Sequence, residues 1–256
     1  MRETLALSWH LVRRNWWVYR KDFFANISPT LCDPAFTIFS LGVGLGAFVS
    51  QVHGRSYVEY LAPGLVVSIA MFTAFFETSY GFYVRMTFES IFKAMLTTPI
   101  TVGDIVLGEF VWVSLKAALM VICTSIVLMA FGVVAFPANL LMVPLVGILV
   151  ALPLGAIGLL ASCWVKNINQ FQTVYSFILS PLYFFSGIFF PVEQMPWWLQ
   201  AIAKSLPLYH GVALSQSLFW NENVLSTWAV HGPILMLYSV LLVSFSFGRV
   251  RKRLQN

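Results

Sequence analysis

Six apolar stretches fill most of this chain, roughly at 34–50, 58–84, 105–135, 138–165, 171–191 and 229–248, with the charges gathered between them. A bilayer core about 30 Å thick needs about 20 helical residues to cross it. All six stretches are near or above that length, which predicts a chain built within and across a membrane. In lipid, backbone polar groups must be satisfied internally, so spanning segments are helices or strands of a closed barrel. Barrel strands would alternate apolar and polar residues. These stretches are apolar all round, and helices follow.

Composition agrees. Hydrophobic residues make up 59% and charged residues 10%, against about 25% charged in a soluble domain. The net charge of +5 is therefore not read as a nucleic-acid footprint, and no nucleic-acid partner is expected. Its distribution is informative. Arg2, Arg13, Arg14, Arg20 and Lys21 lie in the N-terminal arm, Arg85 and Lys93 in the second inter-helix loop, and Lys166 in the fourth. Arg249, Arg251, Lys252 and Arg253 form the tail. Six crossings put all of these on one side and leave only Arg55 and Lys204 on the other. Lys/Arg excess marks cytoplasmic loops. The expectation is a multi-pass protein of the cell (inner) membrane with both termini cytoplasmic.

Along the chain, Leu5, Trp9, Val12, Trp16 and Tyr19 or Arg20 recur at helical spacing. Aromatic rings favour the headgroup level and basic groups the anionic surface, so residues 4–28 predict a helix lying in the interface. Pro29 and the Asp33-Pro34 pair are expected to turn the chain into the first crossing, where Gly42, Gly44 and Gly46 allow close helix approach. Phe136 to Asn139 predicts a tight outer turn. The inner connection, Arg85 to Asp104, predicts a short helix from Thr87 to Leu96 and a new start capped by Thr101-x-x-Asp104. The outer connection, 192–228, carries Pro196, Pro207 and Trp197-Trp198, and predicts one or two short helices dipping into the outer leaflet. The chain reads as a single transmembrane domain over 1–256: arm 1–28, bundle 29–248 and basic tail 249–256. The fold class is all-α integral membrane: six transmembrane helices, an N-terminal interfacial helix, a cytoplasmic inner-loop helix and a re-entrant outer hairpin.

No catalytic constellation stands out. His10, His53, His210 and His231 are scattered and read as interfacial or loop residues; Cys32, Cys123 and Cys163 read as core residues without a disulfide framework. No metal site is expected. The first 30 or so residues lack the apolar core of a cleavable signal. No GxxxxGK[ST] loop is present, so any ATP must bind another chain.

The intramembrane charges are sharper. Charges at membrane depth usually face partners or a cavity. Glu77 lies eight residues before Arg85, about 12 Å into the second crossing at about 1.5 Å per residue. Lys116 lies seven residues beyond Glu109, at a similar depth in the third. The antiparallel arrangement lets Glu77 and Lys116 approach each other. Two other readings stay open: Lys116 snorkelling toward the surface, or a Glu109–Lys116 contact along one helix face. Phe76, Tyr80, Tyr83, Tyr175 and Tyr183 either line a path for sugar rings or simply pack.

Several motifs converge. Ser186-Gly187-Ile188-Phe189-Phe190-Pro191, then Met195-Pro196-Trp197-Trp198-Leu199 and Leu206-Pro207-Leu208, resemble the signature region of ABC-2 type exporter permeases. Thr87 to Pro99, Asp104 to Glu109 and Trp112 to Lys116 are similar to the nodulation protein J branch and to polysaccharide-export permeases. The resemblance covers the whole chain. It implies a half-transporter that pairs with a second copy of itself and with two copies of a separate ATPase. This chain would hold no cofactor and do no catalysis; ATP and Mg would sit in the partner. The inner-loop helix would be the coupling helix, with Phe88, Glu89, Ile91, Phe92, Lys93 and Met95 as candidate contacts, and Glu89 and Lys93 able to pair with each other or the partner. The implied cargo is amphipathic or glycan-bearing, a lipo-oligosaccharide or lipid-linked polysaccharide, or else a drug. The alternatives are an ion- or proton-coupled carrier using Glu77 and Lys116, or a membrane-embedded transferase, for which no clustered site is visible.

Overall fold

The computed structural model describes residues 2–44, 46, 48, 51–134 and 141–255; the turn expected at 136–139 lies outside them. The described residues form ten helices. These are α1 (Arg2–Lys21), α2 (Phe23–Gly44), α3 (Tyr57–Thr87), α4 (Ile91–Met95), α5 (Val102–Ala130), α6 (Val143–Trp164), α7 (170–185), α8 (Trp197–Lys204), α9 (Pro207–Trp220) and α10 (Val224–Gln255). Four of them, α3, α5, α6 and α10, are long and apolar enough to cross a membrane. The predicted first and fifth crossings correspond to α2, which carries Asp33, and to α7, which is only about 24 Å long at the helical rise.

Two helix starts follow from their caps. Ser56 Oγ accepts from the Glu59 N–H while Glu59 Oε2 accepts from the Ser56 N–H, a reciprocal capping box that opens α3. Thr101 and Asp104 do the same for α5, with Thr101 N–H donating to Asp104 Oδ2 at 2.8 Å, as their spacing predicts. The turn expected at Pro29 and Asp33-Pro34 is not there: the chain breaks at Asp22, and α2 runs on through both prolines. Membrane helices tolerate proline because neighbouring groups re-satisfy the freed backbone; Pro63, Pro153 and Pro233 likewise lie inside helices.

The core is built by α3 and α6, with α5 and α9 against them. Small residues let these helices meet backbone to backbone. At Gly158 a Cβ would sit 2.4 Å from Thr78 Oγ1 and 2.7 Å from the Phe75 carbonyl, so only glycine fits. The Thr78 hydroxyl lies 2.7 Å from the Gly155 carbonyl, tying the two helices with the kind of hydrogen bond that serves where lipid offers no hydrophobic drive. α10 keeps a broad apolar face outward, with Met236, Leu237, Val240 and Leu241 exposed, as expected of a helix that meets lipid.

The arm is helical, and its two faces differ. Ser8, Leu11, Val12, Asn15 and Tyr19 are buried, with Val12 and Tyr19 packed on α5, whereas Trp9, Trp16 and Trp17 are exposed. The predicted apolar stripe is therefore split. Indole rings are at home among headgroups, while Asn15 and Ser8 need protein partners, so the mixed polar face turns inward.

Candidate functional site

The helix α3 is not regular throughout. Residues Glu77–Gly81 form a π turn. Such a turn inserts one extra residue, so the eight-residue step from Glu77 to Arg85 behaves like seven, about two turns, and the two side chains share a face. Arg85 Nη1 donates to Glu77 Oε1 at 2.8 Å. Its other terminal nitrogen donates to Glu109 Oε2 of α5 at 2.7 Å. Lys116 Nζ donates to Glu77 Oε2 at 2.6 Å. Four charges, two of each sign, thus form one chain across α3 and α5, with Glu109 wholly buried and the others nearly so.

Glu77 and Lys116 accordingly meet, and Glu109 turns to Arg85 rather than to Lys116. Arg85 departs from its sequence reading as a loop charge on the cytoplasmic side. It is buried in the quartet, because α3 runs three residues past the predicted end of the crossing. The periodicity of a regular helix could not place it there; the π turn does.

Beside the quartet lies an open cavity of about 1080 Å³. Phe72, Phe76 and Tyr175 stack along it, with ring centroids 5.9–6.5 Å apart and planes within 28°. Tyr80, Glu77 and Lys116 also line it, and Asn26, Asp33, Asn169 and Gln172 bring polar groups from α2 and the start of α7. Tyr175 opens a second π turn, Tyr175–Leu179, so two irregular helical turns border one space. Of the predicted aromatics, Phe76, Tyr80 and Tyr175 line the cavity. Tyr83 and Tyr183 do not: Tyr83 is buried and donates to the Lys166 carbonyl at 3.0 Å, and Tyr183 packs on Phe72 and Phe189. Sequence reasoning did not single out the amide wall, since isolated Asn and Gln carry no spacing signal.

The arm closes one side of the charge quartet. The Tyr19 ring lies 5.9 Å from Trp112, and Lys116 Nζ sits 5.2 Å over the Tyr19 ring. Burial pushes the Tyr19 phenol up to about 12, so it is an O–H donor at any working pH.

At the inner connection, α4 is shorter than predicted and starts after Ser90, whose φ of 52° breaks it from α3. Glu89 therefore precedes the helix. Phe92 is fully buried, its ring 4.6 Å from Phe82, and it anchors α4 rather than facing outward. Phe88, Glu89 and Lys93 are exposed, with Ile91 and Met95 half-buried beside them.

The outer region brings together residues that were read as scattered. His210 of α9 and His231 of α10 lie with their Nδ1 atoms 2.7 Å apart; they stand at similar distances on either side of the turn that joins the two helices. The signature motif is held by α3: Tyr60 Oη donates to the Gly187 carbonyl at 2.9 Å and Tyr57 Oη to that of Phe189 at 3.2 Å.

A helical membrane protein with a neutralised charge chain at the wall of a wide, partly aromatic cavity suits a transport subunit. The chain belongs to the ABC-2 type transporter family, whose profile matches residues 6–220. It is 34% identical over 250 residues to nodulation protein J of Rhizobium leguminosarum bv. viciae, covering 97% of this chain and 96% of that protein. It is 35% identical to nodulation protein J of Bradyrhizobium diazoefficiens, with 97% and 95% covered. It is also 22% identical to the inner membrane transport permease YadH of Escherichia coli, with 93% and 91% covered.

Proposed function

We propose that this chain is the membrane-spanning half of an ATP-driven exporter, moving an amphipathic or glycan-bearing molecule out of the cytoplasm. The cavity beside Glu77 and Lys116 carries this reading. It offers stacked rings to flat apolar faces and amide and charged groups to polar ones, the mixed lining such a substrate needs. A lipo-oligosaccharide or a lipid-linked polysaccharide has both kinds of surface, and the polar groups of the lining favour that class over a small hydrophobic drug.

In this reading α2, α3, α5, α6, α7 and α10 make six crossings of the inner membrane, with both termini cytoplasmic. The arm lies in the inner interface, and α8 and α9 form a re-entrant outer hairpin. Two copies pair and bind two copies of an ATPase, which holds ATP and Mg. The exposed face of Phe88, Glu89 and Lys93, with Ile91 and Met95, seats in the ATPase, and buried Phe92 transmits its movement to Phe82 and hence to α3. ATP supplies the differential affinity that any driven conformational change requires.

The test is a detergent pull-down from native membranes with mass spectrometry. A stoichiometric ATP-binding subunit is expected, and Phe88→Glu with Lys93→Glu should release it while the chain still folds. A homo-oligomer without a nucleotide-binding partner, whose transport stops when the proton gradient is collapsed, would instead support the carrier reading built on Glu77 and Lys116.

A further inference from the structure

Between the arm, α3 and α5 lies a second space, a crevice of about 310 Å³. It adjoins the aromatic cavity: Asn26, Glu77, Tyr80, Gly81 and Lys116 line both. Among the buried donors at its walls, Tyr19 Oη, Trp112 Nε1 and Arg85 Nε have no partner among the described residues. Tyr19 and Trp112 are each only 4% exposed. They come from three different helices, so no single local distortion accounts for them. A buried donor without an acceptor is destabilising, and native proteins keep few of them.

The charges of the crevice decide what kind of acceptor suits it. Arg14, Arg85 and Lys116 are balanced by Asp22, Glu77 and Glu89, with Glu109 behind Arg85. A phosphate or carboxylate would gain nothing from this field and would meet three carboxylates. A hydroxyl both accepts and donates. It can take a hydrogen bond from Tyr19, Trp112 or Arg85 and give one to Asp22.

We infer that the crevice beneath the arm binds an uncharged, hydroxyl-rich head, a sugar unit, while the attached chain or further rings lie on the Phe72–Phe76–Tyr175 face. The inference deepens the export reading by giving the substrate an orientation: polar head against Tyr19 and Trp112, apolar or ring portion in the wide cavity. The volumes are in the right order for that division, the smaller space being polar and the larger one aromatic.

The test uses binding to the full chain alone, without the ATPase, so its failure leaves the export reading to the pull-down. The chain in phosphatidylethanolamine–phosphatidylglycerol nanodiscs is titrated with dodecyl maltoside below its micelle concentration. Bound molecules are counted by native mass spectrometry. Dodecylphosphocholine, with the same alkyl chain and a phosphate head, is the matched probe. Wild type should hold the maltoside at least about tenfold more tightly than the phosphocholine. Tyr19→Phe with Trp112→Phe should lose about tenfold in maltoside affinity, the effect of one to two hydrogen bonds. Both rings are kept and neither donor makes a bond in the free chain, so the melting midpoint of the ligand-free variant should be unchanged or raised; if the double variant misfolds, each single variant carries the same expectation. Equal maltoside binding by wild type and variant, tighter binding of the phosphocholine, or retention of neither probe would each overturn the assignment.

Discussion

The two ends of α3 belong to one continuous helix and have opposite characters. From Tyr57 to Phe76 it is apolar, buried and locked against α6 and α9 by contacts that leave no room for a methyl group. From Glu77 on it changes hydrogen-bonding pattern, carries Glu77 and Arg85, and borders both the cavity and the crevice. The first end is held by shape. The second is held by charge pairing in a setting where charge is expensive to bury. The difference assigns stability to one end and adjustability to the other: a packed glycine seam has one arrangement, whereas a chain of ion pairs can exchange partners at little change in energy.

The largest effect expected comes from breaking the charged end. Arg85→Met leaves Glu77 short of one partner and Glu109 buried without its ion pair. Removing one member of a buried ion pair costs about 3–5 kcal/mol, enough to abolish the folded fraction in detergent or to lower the unfolding midpoint sharply. The sharper arm of the same experiment replaces Glu77, Arg85, Glu109 and Lys116 together by Gln, Met, Gln and Met. If pairing rather than packing holds this end, the quadruple variant should recover most of the loss. A quadruple variant no more stable than Arg85→Met would show that the residues are needed individually.

The apolar end should respond differently. Gly158→Ala drives a methyl into the Phe75 carbonyl of this end and into Thr78, the second residue of the π turn, so the steric seam reaches just past Phe76. The backbone atom cannot swing away, so α3 and α6 must separate. Overpacking of this kind costs about 1–3 kcal/mol. Because the contact is steric, no compensating charge change should rescue it; unfolding midpoints in nanodiscs check both points. A neutral Gly158→Ala would mean that the seam is looser than its geometry, and the contrast between the two ends would fail.

How these features relate to the sequence depends on the kind of signal each carries. The long helices were legible because lipid enforces length and apolarity residue by residue, and the cap at Thr101 obeys a local rule, as does the unread box at Ser56 and Glu59. The approach of Glu77 and Lys116 followed from counting depth on antiparallel helices. The rest needed information that spacing does not hold. Arg85 was hidden by the π turn, which shifts register by one residue without any sequence mark. The arm's inward face could not be read, because Trp9 and Trp16 count as apolar in a periodicity argument yet prefer the headgroup level to a protein core. Phe92 looked like a contact residue until the left-handed Ser90 rotated α4 and turned its ring onto Phe82. Asn169 and Gln172 reach the cavity only because α7 packs where it does.

The smallest effect expected lies at the histidine pair between α9 and α10 and tests whether charge matters there at all. His210 and His231 touch through their Nδ1 atoms, so one ring must accept and at most one can be cationic. Burial first, and the neighbouring His231 second, hold His210 down at about 4. Its folded-state value is below the ordinary value of about 6.5, so the unfolded or undocked pair binds the extra proton more readily. The contribution of the pair is therefore fully present above about pH 6.5 and is lost as pH falls from there toward 4. Hydrogen exchange of the α9 amides should be slow at pH 7 and, after correction for intrinsic exchange, measurably faster at pH 5. His210→Asn should flatten the difference, since an amide does not titrate in this range. Tyr209 edges both imidazoles, and Tyr238 lies on His210 while its hydroxyl donates to the Ser205 carbonyl, so aromatic packing would keep α9 on α10 after the histidines part. The change should then be a loosening rather than a detachment. Exchange that is identical at both pH values would place the pair with the sterically held end of α3 and leave the quartet as the one region where charge holds helices together.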